Sequence, residues 1–204
     1  FEPSAIGNGP IEIRTVGKTE PSLKLDGLKD SFVISMAFTP DGSKLLAGTS
    51  ESIAAMWSLD NPAEPMWQRD GLSDGVDVAF SRDGSQFILV SEALEVEIWR
   101  VGDVEPIQTL KLDRIQTVGA IAFAPDGLSY AIAFANGEIL LFKVGETSPF
   151  RTLKTLSQEL KSIEFTADSR HLLGATGDAA LLWRTDSASP VETFPKSARV
   201  GATL

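Results

Sequence analysis

The chain has 204 residues, 43% hydrophobic and 23% charged, the balance of a globular domain and not of a disordered or fibrous one. Its formal net charge of −10 disfavours nucleic acid and anionic membranes as partners, and no apolar run approaches the ~20 residues of a spanning helix. Cysteine is absent and His171 is the only histidine, which excludes disulfides and thiolate chemistry and leaves little material for a zinc site or a Ser-His-acid triad.

A repeat organises everything after residue 25. Phe38-Thr-Pro-Asp-Gly42, Phe80-Ser-Arg-Asp-Gly84, Phe123-Ala-Pro-Asp-Gly127 and Phe165-Thr-Ala-Asp-Ser169 recur with Phe-to-Phe steps of 42, 43 and 42 residues. Trp57, Trp99, Phe142 and Trp183 repeat in phase, and each is followed seven or eight residues later by Pro65, Pro106, Pro149 or Pro190. Three landmarks in register over four copies define the unit.

In chain order, the first segment is a partial unit over residues 1–25. Ile11 and Ile13 take the apolar positions of a third strand, Arg14 stands where the aromatic belongs, and Val16-Gly-Lys-Thr-Glu-Pro21 matches Val144-Gly-Glu-Thr-Ser-Pro149. Four complete units follow, at 26–69, 70–110, 111–153 and 154–194. Within each, apolar residues alternate before the Phe, as in Ile34-Met36-Phe38, which is the period of a strand with two distinct faces. The Asp-Gly pair predicts a tight turn, with Asp41, Asp83, Asp126 and Asp168 as turn formers. A second strand follows, then a polar loop, a third strand ending at the aromatic, and a fourth beginning at the proline, where a missing N–H suits an edge. Residues 195–204 start a further first strand, predicted to close the ring on the partial unit.

Four antiparallel strands per ~42 residues predict an all-β chain folded as a β-propeller of about five repeats, either a five-bladed ring or part of a larger propeller. The order of strand, Pro-Asp-Gly turn, strand and closing Trp resembles the WD-repeat family across nearly the whole chain. The Asp expected after each Trp is replaced, by Ser58, Arg100, Lys143 and Arg184, and no Gly-His pair precedes the first strands. The hydrogen-bonded tetrad that the resemblance implies therefore cannot form, and the units are expected to be held by packing.

The resemblance implies a non-catalytic scaffold for a protein partner, with no cofactor, catalytic residue or metal ligand assigned. Trp57, Trp99, Phe142 and Trp183 obey the repeat and are expected between blades, and His171 reads as a solvated strand end. Two partner surfaces stand out. The loops joining second and third strands carry Glu51, Glu92, Glu95, Glu138 and Asp178 and no Lys or Arg, an acidic face for a basic partner. In Pro65-Met66-Trp67, the Trp takes a position occupied elsewhere by Gln108, Arg151 and Glu192. It is either exposed on the rim over Met66, as an anchor for a neighbouring protein, or turned inward by the extra residue between Trp57 and Pro65.

The rival functions are a structural module of a larger bacterial sensor or redox assembly, and a propeller hydrolase with a channel site. For the latter, Asp77 and Glu164 are the acidic exceptions on the mostly apolar first strands, with Lys161 beside Glu164. The segment Phe1-Glu-Pro-Ser4 has neither a basic start nor an apolar core, so no secretory signal is read and a cytoplasmic location is slightly favoured. The lack of an initiator Met reads as processing or a fragment.

Overall fold

A computed structural model describes residues 11–28, 31–73, 75–113, 116–155 and 160–195. Residues 1–10 of the expected partial unit and residues 196–204 of the expected closing strand lie outside them. All regular structure among the described residues is antiparallel strand, with no helix. Strands β1 (Ile11–Ile13) and β2 (Leu23–Leu25) form a two-stranded sheet. The first four-stranded sheet holds β3 (Val33–Phe38), β4 (Lys44–Thr49), β5 (Ala54–Ser58) and β6 (Trp67–Arg69), and the second holds β7 (Val76–Phe80), β8 (Gln86–Ser91), β9 (Glu95–Arg100) and β10 (Gln108–Lys111). The third contains β11 (Val118–Phe123), β12 (Ser129–Phe134), β13 (Glu138–Lys143) and β14 (Arg151–Lys154). The fourth contains β15 (Ser162–Phe165), β16 (His171–Ala175), β17 (Ala179–Arg184) and β18 (Pro190–Pro195). Each of these four is a meander in sequence order.

The first hairpin of each sheet is closed by its own turn chemistry. The Asp41 carboxylate accepts the Thr39 hydroxyl at 2.6 Å and the Ser43 amide at 3.0 Å, while Thr39 Oγ1 accepts the Lys44 amide at 3.0 Å. Asp83 repeats this with Ser81 and Ser85, and Asp168 with Thr166 and the Arg170 amide. Asp126 accepts only the Leu128 amide, because Ala124 offers no hydroxyl. The next position needs positive φ, supplied by Gly42, Gly84 and Gly127 at 68–69° and, against ordinary preference, by Ser169 at 59°.

Cross-strand pairing sorts side chains onto two faces of each sheet. The rows Phe38–Leu45–Trp57, Phe80–Phe87–Trp99, Phe123–Tyr130–Phe142 and Phe165–Leu172–Trp183 face the preceding sheet. Trp57 packs with Ile11, Ile13 and Leu25, Trp99 with Leu46 and Met56, Phe142 with Ile88 and Ile98, and Trp183 with Ala131, Ala133 and Leu141. The four aromatics thus lie between sheets, each at most 3% exposed. Bulk is matched across the seams: the large Trp183 meets alanines, and the smaller Tyr130 and Phe142 meet isoleucines. Gly48 is required where β4 meets the second sheet, since a Cβ there would lie 2.0 Å from the Val76 carbonyl oxygen.

Successive first strands are neighbours in space, β3 beside β7, β7 beside β11 and β11 beside β15. A closed ring is not observed among the described residues.

Candidate functional site

The ends of the four first strands converge on one cavity of about 480 Å³. Its walls come from all four sheets and are mainly the repeated Phe38, Phe80, Phe123 and Phe165 with the alanines beside them. Two of the wall positions depart from the repeat. Arg82 occupies a turn site that holds Pro40, Pro125 or Ala167 in the other units, and Glu164 a strand site that elsewhere holds Ala37, Ala79 or Ala122. Both are exposed, and neither forms an ion pair among the described residues. The sequence marked Glu164 as an exception on a first strand; Arg82 was hidden inside a turn motif. Asp77, the other exception, sits at the opposite strand end. There burial pushes its carboxyl up, the Ser35 hydroxyl opposes that, and Glu92 adds to it. Asp77 and Glu164 are not brought together as an acid–base pair.

The end of the sheets that carries the turns between second and third strands holds the predicted acidic residues, but several are engaged internally. Glu51 accepts the Phe32 amide at 2.8 Å and the Ser50 hydroxyl at 2.7 Å. Glu95 and Glu138 are the first residues of β9 and β13 rather than loop residues, and Glu95 pairs with Lys111 at 3.1 Å and with Ser73. Lys111 holds the Glu95 carboxyl below its ordinary range. Glu92 and Asp178 are exposed.

On the outer strands Trp67 takes the inward one of its two expected placements, and Met66, expected beneath an exposed Trp67, is instead the exposed residue. Met66 is 51% exposed, whereas Trp67 is half-buried, its ring edge-on to Phe87 and Trp99 at centroid distances of 5.0 and 5.1 Å. The cause is not a local register slip. Trp67, Gln108 and Arg151 pair with Met56, Ile98 and Leu141, whose side chains face the next sheet, so the position two after the proline turns inward in all three. The residue directly after the proline points outward instead, giving exposed Met66, Ile107, Phe150 and Val191, one per sheet.

The inward position and its neighbours also carry polar clamps between sheets that sequence reading missed. Arg69 of the first sheet bonds the buried Glu97 of the second at 2.8 and 3.2 Å, and Glu97 accepts the Trp99 indole N–H at 2.9 Å. Gln108 spans from the second sheet to the third, donating to the Glu146 carbonyl and accepting the Gly145 amide.

The fourth sheet differs from the other three. The row facing a following sheet reads Ala37–Leu46–Met56–Trp67, Ala79–Ile88–Ile98–Gln108 and Ala122–Ala131–Leu141–Arg151 in the first three, but Glu164–Leu173–Leu182–Glu192 in the fourth. Leu46, Ile88 and Ala131 are fully buried, whereas Leu173 is 41% exposed; Phe194, in the adjoining row, is 45% exposed beside Ala180.

His171 opens β16 opposite Arg184, half-buried, with its backbone in the Thr166 turn. Among the described residues no three His, Asp or Glu side chains converge as a metal site, and no helix is long and apolar enough to cross a membrane. Neither a protein-family model nor a curated protein matches this chain.

Proposed function

We propose that the chain is a WD-repeat-like β-propeller module that works as a non-catalytic interaction scaffold, binding a protein partner through the open face of its fourth sheet. The succession of β3, β7, β11 and β15, and the single cavity that their ends line, support a propeller axis. The interaction reading rests on the apolar face where Leu173 and Phe194 are exposed beside the half-buried Leu182. In the first three sheets the equivalent face lies against another sheet with an aromatic row, so the partner chemistry that fits is a β-sheet presenting Trp or Phe. Exposed apolar clusters of this kind mark interfaces. The same face serves if the module is a subunit of a larger assembly.

A photo-crosslinking amino acid at position 194, with position 104 as an exposed control, tests the reading. Adducts to a sheet-bearing protein from 194 alone are expected. The double variant Leu173→Glu/Phe194→Glu is expected to lose that partner and keep its melting temperature. Equal labelling from both positions, or an unchanged partner in the double variant, rejects this face and leaves the exposed carboxylates Glu92 and Asp178 as the docking surface.

A further inference from the structure

We infer that the cavity at the ends of the first strands binds a short apolar peptide by its two charged termini, the carboxylate at Arg82 and the ammonium at Glu164. This goes beyond docking on the fourth sheet: Glu164 pairs with Leu173 of that face, whereas Arg82, at the other end of the ligand, follows β7 of the second sheet.

Three observations carry the site. The cavity, at about 480 Å³, lies in the range of small-ligand sites, which are largely apolar with a few placed polar groups. Its wall, polar and apolar in equal part, is supplied by four units in turn, through Phe38, Phe80, Phe123 and Phe165 and the polar groups beside them. Arg82 and Glu164 stand where the other units have Pro or Ala, carry opposite charges, and both lie in the wall of the same cavity.

The ligand chemistry follows from where the charges sit. Arg82 follows β7 and Glu164 lies on β15, with β11 of the third sheet between them. A single anion is met by Arg82 and opposed by Glu164; a single cation meets the reverse. A ligand with both charges at its two ends and an apolar middle satisfies both and covers the phenylalanines. An extended peptide advances about 3.3–3.6 Å per residue, so two to four residues bridge two groups separated by an intervening strand. The guanidinium offers a carboxylate two parallel N–H donors, which fixes the direction in which the peptide lies.

Isothermal titration with the tripeptide Leu-Phe-Leu, free at both ends, tests this against its N-acetyl and C-amide forms. The free peptide is expected to bind, and either cap to weaken binding at least tenfold. In Arg82→Gln the C-amide cap is expected to make no further difference while the acetyl cap still does; in Glu164→Gln the pattern reverses. Both side chains are exposed, so circular dichroism melts should match the unsubstituted chain and exclude misfolding as the cause. Absence of binding, equal binding of all three peptides, or cap effects that survive both substitutions overturns the proposal.

Discussion

The second and fourth sheets are built from the same pattern and differ in how many neighbours they have among the described residues. Ile88 and Ile98 of the second sheet are sealed by Tyr130 and Phe142 of the third, and Gln108 bonds across the same seam. Leu173 and Phe194 in the fourth occupy equivalent rows and are exposed. Burial in this chain is thus a property of the seam and not of the sheet. A row of residues becomes core only when the next unit lays its aromatic side against it. The substitutions at the open face fit that condition, since Glu164 and Glu192 replace the Ala and the inward-facing residue of the covered sheets.

The most damaging change should fall on a sealed seam. Trp99→Ala removes a ring 3% exposed that stacks on Phe87 and donates to Glu97, and the cavity left should cost about 3–5 kcal/mol in denaturant unfolding. A loss under about 1 kcal/mol would mean that the seam between the first two sheets carries little of the stability.

The direct comparison pairs Ile88→Ala with Leu173→Ala. The first should cost about 2–5 kcal/mol, as large-to-small changes in a packed core do. The second should cost less than about 1 kcal/mol, because the Leu173 side chain already meets solvent on one side. Equal losses would show that Leu173 is covered in solution.

The turns are where the two sheets should behave alike. Hydrogen bonds hold Asp83 below its ordinary value, first through the Ser85 amide, and Asp168 likewise, first through the Thr166 hydroxyl. Asp41 is lowered to about 2, foremost by Thr39. A carboxylate depressed in the folded state adds stability above its unfolded value, near 3.8, and loses it as pH falls through the folded value. Melting temperature should therefore drop between about pH 4 and pH 2, and Asp83→Asn and Asp168→Asn should flatten that drop to similar extents. A flattening by one and not the other would separate the turns.

The smallest expected effect is at Ser169→Gly. The change relieves a positive φ in a non-glycine residue, which is worth up to about 1 kcal/mol. It also removes the hydroxyl that accepts the Asp126 amide at 3.1 Å, so the net change should stay within about 0.5 kcal/mol. Ser169→Ala, losing the bond and keeping the strain, should be the less stable of the two in thermal melts.

Much of the architecture was legible in the order of residues. The alternation before each Phe, the Asp-Gly pairs and the closing aromatics are local signals, and the strands and turns formed from them need little outside their own unit. The Thr or Ser after the Phe belonged to the same signal and was overlooked: Thr39, Ser81 and Thr166 bond both their turn Asp and the amide five residues on. Trp67 was less legible, because a period of two separates the faces of a strand without saying which one another sheet will cover. Its cross-strand partner Met56 decides that, and Met56 faces the second sheet. The Arg69–Glu97 clamp joins residues 28 positions apart in different units, and nothing local announces it.

The sequence by itself determined the repeat, the strand order within each unit and the turn chemistry, since each depends on side chains and backbone within about forty residues. Only the tertiary structure decided that Trp67 turns inward and Met66 outward, that the fourth sheet keeps one apolar face open, and that Arg82 and Glu164 share one cavity. Those outcomes depend on which units lie side by side: the repeat marks the aromatic side of each sheet, but not which of the opposite faces another unit will cover.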